Sequence, residues 1–559
     1  MGLYFKKMEI VGRSRQLLSI CWTTQDTFVL ALFVYMLFAN KSHGDDVSVM
    51  LFSWIRLMFV GYFLLRLLFQ FGGKIVHDLA LLLIESTACY ESVLGILQIL
   101  GLIRSNNTLF LCTGTFDNPG PLGGFIAVCF SLSLAELITK KLKNENKTIS
   151  VFDSIIHGVS YTTVIICAIV LPSTQSRAAL LSILIVAFYF IVNNSKIRIW
   201  IKAHWLVTIL SVLVLLLVVL IFKRPSTNGR IITYKMELLT IKRNGYKGVG
   251  LGHFSNAYGE TQRDYFSKMI RITDGKLDYS DSVKERQFAD NPNVGFNEYL
   301  QMGIEFGVGP LVLFLLLTAL IVYRLSKKHS PFCYGIISML VFAFFSYPFS
   351  LWEFNVLFLI FSGFAGCRFD NTYSLKTYRL LFIIICLIPA VFFFRSVVVV
   401  RTINQNEKKW ERQRFIFGSG DYVAYEYCCS ELYPELRSNY AFLYEYAYSR
   451  FENGFIEESE RILNESLELS GNSLSFILLG DIHKKQGLIE KAEQDYFDAF
   501  LVLPDRLYPL YKLAALYHDT DQATKYENMA NSIENFSPRI ESQSTKEIRD
   551  MLNLLKYTK

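Results

Sequence analysis

Apolar residues gather into runs long enough to cross a bilayer, separated by short polar turns. A hydrocarbon core takes about 20 mostly apolar residues per helix. Runs near that length fall at 20–39, 49–70, 76–101, 120–138, 154–172, 178–194, 200–222, 307–323, 332–349, 354–368 and 378–397. The pattern predicts an all-α, polytopic membrane protein of about 11 transmembrane helices; several runs are short or adjoin, so about ten or twelve stay open. It divides into N-terminal transmembrane helices over 1–222, a large loop over 223–306, C-terminal transmembrane helices over 307–398 and a polar, helical region over 399–559.

That last region has a period. Gly480, Gly487, Ala492, Ala499 and Pro504 occupy the small-residue and proline places of a tetratricopeptide repeat, with Phe476 and Leu479 at its large apolar places. Ala447, Gly454, Ser459 and Ser466 stand one repeat earlier, and Ala514 and Pro538 one later. Small residues recur where paired helices touch closely, so at least two repeat-like units are expected, with 405–440 adding a divergent helix pair. Such stacks present a concave face suited to a protein partner, and a lid or spacer is the plainer role.

Composition narrows the class. Of 559 residues, 52% are hydrophobic and 19% charged, and the mean hydropathy is +0.31. An ordinary soluble or disordered chain is excluded, and the apolar excess calls for a lipid bilayer. The net charge of +7 fits basic cytoplasmic loops rather than nucleic acid. Ten cysteines show neither CxxC nor metal-ligand spacing, so no metal is expected.

Basic residues flank alternate turns: Lys6, Lys7, Arg13 and Arg15; Arg66 and Lys74; Lys140, Lys141, Lys143 and Lys147; Lys196, Arg198 and Lys202; Arg324, Lys327 and Lys328; Arg368, Lys376 and Arg379. The positive-inside rule then sets the N-terminus in the cytoplasm and the C-terminal region outside. Loops 40–48, 102–119, 173–177, 223–306 and 350–353 share that outer face. Nucleotides are absent there, so an activated donor has to arrive attached to a lipid.

Several polar residues sit where such chemistry would run. Arg177 in "PSTQSRAAL" and Arg230 at the head of the long loop suit bidentate capture of phosphate oxygens, or alternatively snorkel to lipid headgroups. Glu85, Glu91 and Gln98 ride the third run and Arg56 the second; ionisable groups at membrane depth usually face a cavity or a partner, and an Arg56–Glu91 structural pair is one option. The Gly248–Gly252 stretch lacks the strand-before, helix-after context of a nucleotide loop and reads as a tight turn that lets backbone approach a ligand or helix.

Five passages together resemble a known family. "GTFDNPGPLGGFIA" (114–127), "STQSRAAL" (173–180), "GRIITYKMELLTIKRNGYKGVGLGHF" (229–254), "FNEYLQMGIEFGVGP" (296–310) and "FFSYPFSLW" (344–352) are similar in order, spacing and sidedness to motifs of the O-antigen ligase, O-antigen polymerase and protein O-oligosaccharyltransferase superfamily. The resemblance implies a C-type membrane glycosyltransferase of the bacterial inner membrane, without cofactor. It would move a glycan from undecaprenyl diphosphate to an acceptor hydroxyl on the lipid A core, a protein or another glycan.

By position in the motifs, Arg177 and Arg230 would hold the diphosphate, and Asn118, Gly250, His253, Asn297, Tyr299 and Glu91 would contact substrate. One departure stands out: the family's loop-end histidine is Phe296 here, which takes no proton. Glu298, Glu305, Asp290 and His253 are the candidate replacements. Ligase comes first, with protein O-glycosylation or polymerisation next. A transporter or flippase, or a scaffold without chemistry, is the rival from another class.

Overall fold

The computed structural model describes residues 18–41, 49–143, 151–193, 225–279, 284–367, 373–377 and 379–555, and all structural statements concern these. The expected span 200–222 lies outside them, as do Lys6, Lys7, Arg13, Arg15, Lys147, Lys196, Arg198, Lys202 and Arg368. The described residues form twenty α-helices and two small two-stranded sheets. The fold class is all-α.

Strand β1 (Leu18–Trp22) leads into α1 (Thr24–Lys41), followed by α2 (Val49–Ile99), α3 (Pro119–Lys143), α4 (Val151–Val170) and α5 (Arg177–Asn193). The large loop carries α6 (Pro225–Arg243), α7 (Phe254–Ser267), the hairpin β2 (Ile270–Thr273) and β3 (Lys276–Tyr279), and α8 (Glu298–Phe306). Helices α9 (Val308–Lys327), α10 (Phe332–Ala343) and α11 (Trp352–Ala365) return to the bundle; β4 (Tyr373–Thr377) pairs with β1, and α12 runs from Arg379 to Ser419. Four helical stretches are long and apolar enough to cross a membrane: Ser53–Ile99, Pro119–Thr139, Val151–Thr174 and Val308–Lys327. Shorter apolar helices lie at Thr24–Phe38, Arg177–Asn193, Phe332–Ala343 and Trp352–Ala365.

Local chemistry accounts for where the apolar runs break. In α2 the backbone turns at Gly73, at φ 55° and ψ −131°, a conformation open to glycine. Phe69 and His77, on either side, both pack on the Phe364 ring, at 5.3 and 4.8 Å between centroids. The runs 49–70 and 76–101 are thus two limbs joined without a loop. The run 332–349 keeps only twelve helical residues in α10. Tyr347 precedes Pro348, and a residue before proline is driven out of the helical region.

Among the described residues, the basic flanks Arg66, Lys74, Arg324 and Lys328 gather at one end of the bundle. There Lys74 Nζ meets Asp153 Oδ1 at 3.0 Å, and Lys328 Nζ donates to the Phe364 carbonyl at 2.5 Å. Two flanks are buried: Arg66 is 2% exposed and Arg324 6%. Arg66 Nε pairs with Asp26 Oδ1 at 2.8 Å, and Tyr62 donates to the same oxygen at 2.8 Å. Asp26 Oδ2 accepts from the amide and hydroxyl of Thr23 at 2.6 and 2.9 Å, capping α1. Arg324 donates to Thr23 Oγ1, Gln25 Oε1 and Thr24 Oγ1 at 3.1, 3.3 and 2.8 Å, while Gln25 Nε2 donates to the Ser362 carbonyl at 2.8 Å. One network so ties α1, α2, α9 and α11 together.

At the other end α12 leaves the bundle and enters the polar region as a single helix of 41 residues, roughly 60 Å long at 1.5 Å per residue. The expected boundary at 398–399 falls inside it. Its last turns and α13 (Tyr422–Leu436) begin a row of helical hairpins: α14 (Tyr440–Glu452) with α15 (Ile456–Leu469), α16 (Ser473–Lys485) with α17 (Ile489–Val502), and α18 (Tyr508–Asp519) with α19 (Ala523–Glu534), closed by α20 (Gln543–Leu555). Left-handed residues close the turns at Gly420, Gly454, Gly487 and Asp521, spaced 34, 33 and 34 apart. The small-residue register has its expected cause: a Cβ on Gly480 would lie 2.5 Å from the Tyr496 ring.

The large loop and the hairpins are separate regions in the sequence pattern, yet they share one core. Phe266, Ile270 and Leu277 from the loop pack with Tyr496, Phe500 and Tyr517. Arg263 pairs with Asp498 at 3.2 Å and Arg286 with Asp505 at 3.0 Å, and Gln262 Nε2 donates to the Val502 carbonyl at 2.6 Å. The loop lies against α15, α17 and β3 against α19, which leaves α14, α16 and α18 toward the other face.

Replacing Asp26 by Asn removes the carboxylate that pairs with the buried Arg66 guanidinium. Loss of one partner of a buried pair typically costs about 3–5 kcal/mol. The expected outcome is a large drop in resistance to unfolding of the micelle-solubilised protein, with the hairpin region unfolding as before.

Candidate functional site

The site is built around α8. Asn297 caps it, its side-chain oxygen accepting from the amides of Tyr299 and Leu300 at 3.0 and 3.2 Å. The glycine run closes its other end: Val249 and Gly250 amides donate to the Ile304 and Glu305 carbonyls, both at 2.9 Å, and the Gly252 amide reaches Glu305 Oε1 at 3.2 Å. A Cβ on Gly248 would lie 2.6 Å from the Glu305 carbonyl oxygen. The run is a backbone-to-helix contact that satisfies the last carbonyls of α8.

Other predicted residues hold the surrounding turns. Glu91 accepts from the amide and hydroxyl of Thr115 at 2.9 and 2.6 Å. Gln98 accepts from the Thr113 and Gly114 amides at 2.9 and 2.8 Å. Asn118 accepts from the Gly120 amide at 2.8 Å. Tyr299 donates to the Leu340 carbonyl at 2.8 Å and is buried between Phe314 and Phe344. Glu298 Oε1 accepts from the Phe349 and Ser350 amides at 2.6 and 3.2 Å, fastening α8 to the turn before α11.

Between these elements lies a cavity of about 950 Å³. Its walls come from α1, α2, α8, α9 and α11, with Asn404 of α12 at the rim. One end is polar, carrying Asp117, Asn118, Glu298, Gln301, Glu305 and Glu353; the other is apolar, carrying Val29, Phe33, Met58, Phe59, Phe358 and Leu359. Tyr62 and Ser362, both members of the Asp26 network, form its floor. No Lys, Arg or His lines it among the described residues. Burial pushes the Glu298 carboxyl up to about 8, against the pull of the Phe349 and Ser350 amides, and the Glu305 carboxyl up to about 7, against that of the Gly252 amide.

Arginine stands beside the cavity. The Arg230 guanidinium lies 5.6 Å from the centre of the Phe296 ring, whose own neighbour is Tyr347 at 6.0 Å. Tyr347 also lines the cavity. Phe296 therefore offers Arg230 an aromatic face. Arg177 opens α5, half-buried, at the same end of the bundle. Neither arginine lines the cavity.

Of the expected substrate contacts Asn118 lines the cavity, whereas Glu91, Gly250, Asn297, Tyr299 and His253 do not, and neither does the candidate base Asp290. His253 Nδ1 sits 2.9 Å from the Glu468 carbonyl, on the seam with α15. Asp290 is exposed on the same seam, its carbonyl accepting from Gln262 at 3.1 Å. The tertiary docking of the loop on the hairpins takes both away from the cavity, so of the four candidate bases only Glu298 and Glu305 face it. A residue that sequence reasoning passed over is Glu237, fully buried on α6 behind the Gly295–Phe296 turn. Burial raises its carboxyl to about 8. Its spacing of seven from Arg230, one face of one helix, was the available signal.

No family model matches the chain, and no curated protein matches it either.

Burial favours the protonated Glu298 carboxyl in the folded state, so its contribution to stability is present below the ordinary carboxylate range and is lost as pH rises toward about 8. Glu298→Gln removes that share of the slope and leaves those of Glu305 and Glu237. Melting temperatures taken at about pH 6 and about pH 8.5 should differ less in the variant than in the parent protein.

Proposed function

We propose that this chain is a membrane glycosyltransferase of the O-antigen ligase type. It spans the bacterial inner membrane about eleven times, with the N-terminus cytoplasmic and the hairpin region periplasmic. It takes a glycan from undecaprenyl diphosphate and passes it to an acceptor hydroxyl.

The observation that carries this reading is convergence. Passages 114–127, 229–254, 296–310 and 344–352 are far apart in sequence, yet Asn118, Gly252, Glu298, Glu305 and Tyr347 line one cavity, with Arg230 just behind Tyr347 through Phe296. The loops that carry them meet at the end of the bundle away from Arg66, Lys74, Arg324 and Lys328, which supports reading them as sharing one outer compartment. Nothing in the glycine run points instead to a nucleotide.

In the reaction, the acceptor oxygen bonds to the anomeric carbon as the carbon–phosphate oxygen bond breaks. Undecaprenyl diphosphate leaves with that electron pair. Arg230 and Arg177 lower the cost of the departing charge, which is electrostatic stabilisation of the leaving group. The acceptor proton goes to Glu305, whose carboxyl is raised to about 7. A base poised near the working pH is the efficient choice.

Arg230→Ala is expected to lower glycan transfer in cells by about 10²–10³-fold while the protein still reaches the membrane. Full transfer in that variant removes the diphosphate role. Glycan analysis of a deletion strain sorts the acceptors: loss from lipopolysaccharide marks a ligase, loss from proteins alone a protein transferase, and single-repeat glycans a polymerase.

A further inference from the structure

We propose that the cavity beneath α8 binds a neutral glycolipid, a lipid-tailed molecule whose sugar head carries no negative charge. Calling that lipid an acceptor rests on the transferase reading; the binding itself does not.

Shape is the first argument. The cavity runs from Trp54 to Tyr62 on α2 and from Trp352 to Ser362 on α11, roughly 12–15 Å along the bundle at 1.5 Å per residue. That is close to half a hydrocarbon core. Its volume of about 950 Å³ stands at the upper end for pockets that enclose a small ligand. The mouth is polar and the walls beneath it, at Val29, Phe33, Met58 and Phe358, are apolar down to Tyr62 and Ser362, so an occupant has to be amphiphilic along the same axis.

Charge decides the head. The mouth carries Asp117, Glu298, Glu305 and Glu353 and no cationic side chain among the described residues. A phosphate there would meet carboxylates when they are ionised and find no counter-charge when they are protonated. The diphosphate of the donor therefore belongs on the Arg230 side of Phe296, outside the cavity. What remains suits hydroxyl groups. Asn118, Asn293, Gln301 and Asn355 supply amides that both donate and accept, the acids add further acceptors, and Trp352 and Tyr347 offer ring faces. An ammonium head would satisfy the acids but leave the amides and rings without complementary groups.

The test uses the full chain in phosphatidylcholine nanodiscs spiked equally with a monoglucosyl diacylglycerol, phosphatidylethanolamine and phosphatidic acid, and reads retained lipid by native mass spectrometry. The glucosyl lipid should be enriched about tenfold over its bulk ratio, the equivalent of one or two good hydrogen bonds. Met58→Trp, which fills the apolar end, should return it to bulk. Leu79→Trp, on the half-exposed outer surface of α2, should keep it and so control for folding. Preferential retention of phosphatidic acid or of phosphatidylethanolamine, equal retention of all three, or enrichment unchanged by Met58→Trp overturns the proposal. Arg230→Ala separates the two readings. If it abolishes transfer and no glucosyl lipid is retained by the parent, the cavity assignment falls and the transferase stands; retention without any transfer does the reverse.

Discussion

A single buried carboxylate organises the membrane bundle. Asp26 is fully buried, caps α1 through Thr23, and answers the Arg66 guanidinium at 2.8 Å. Arg324 holds the same first turn through three side-chain oxygens. Ions out of water at this depth persist only when paired and hydrogen-bonded, so the four helices involved have no freedom to part at that end. The same four, α1, α2, α9 and α11, diverge at the opposite end and line the cavity. The closed end and the open end are two aspects of one arrangement, and Tyr62 and Ser362 belong to both.

Much of this was legible. Hydropathy gave the helices because lipid contact demands long apolar faces, and the small residues at Gly480 and Ser459 gave the hairpin register because close helix contact demands them. The passage at 296–310 identified α8 as the centre of the candidate site through Asn297, Glu298 and Glu305. Charge alone misled at two positions. Arg66 and Arg324 count as loop flanks in any tally of basic residues, yet they are buried, because a local charge rule has no knowledge of Asp26 some 40 to 300 residues away.

The docking of the large loop on the hairpins was not legible either. Its contacts are single residues, such as Arg263, Arg286 and Gln262, spread over loop segments with no period of their own. Their partners, at Asp498, Asp505 and Val502, lie more than 200 residues on. That docking is what removes His253 and Asp290 from the cavity and leaves the two acids of α8 facing it. Glu237 escaped notice for a related reason: a polar residue on a loop helix reads as solvated until its neighbours are known.

Helix α12 joins the two halves without a hinge. A rod of 41 residues that packs on α2 below and forms the first hairpin above behaves as a mast, and Asn404, partway along it, stands at the cavity rim. The hairpin region is also moored to the large loop, hence to α8. Two routes, α12 through Asn404 and the docked loop through α8, therefore connect the hairpins to the same opening.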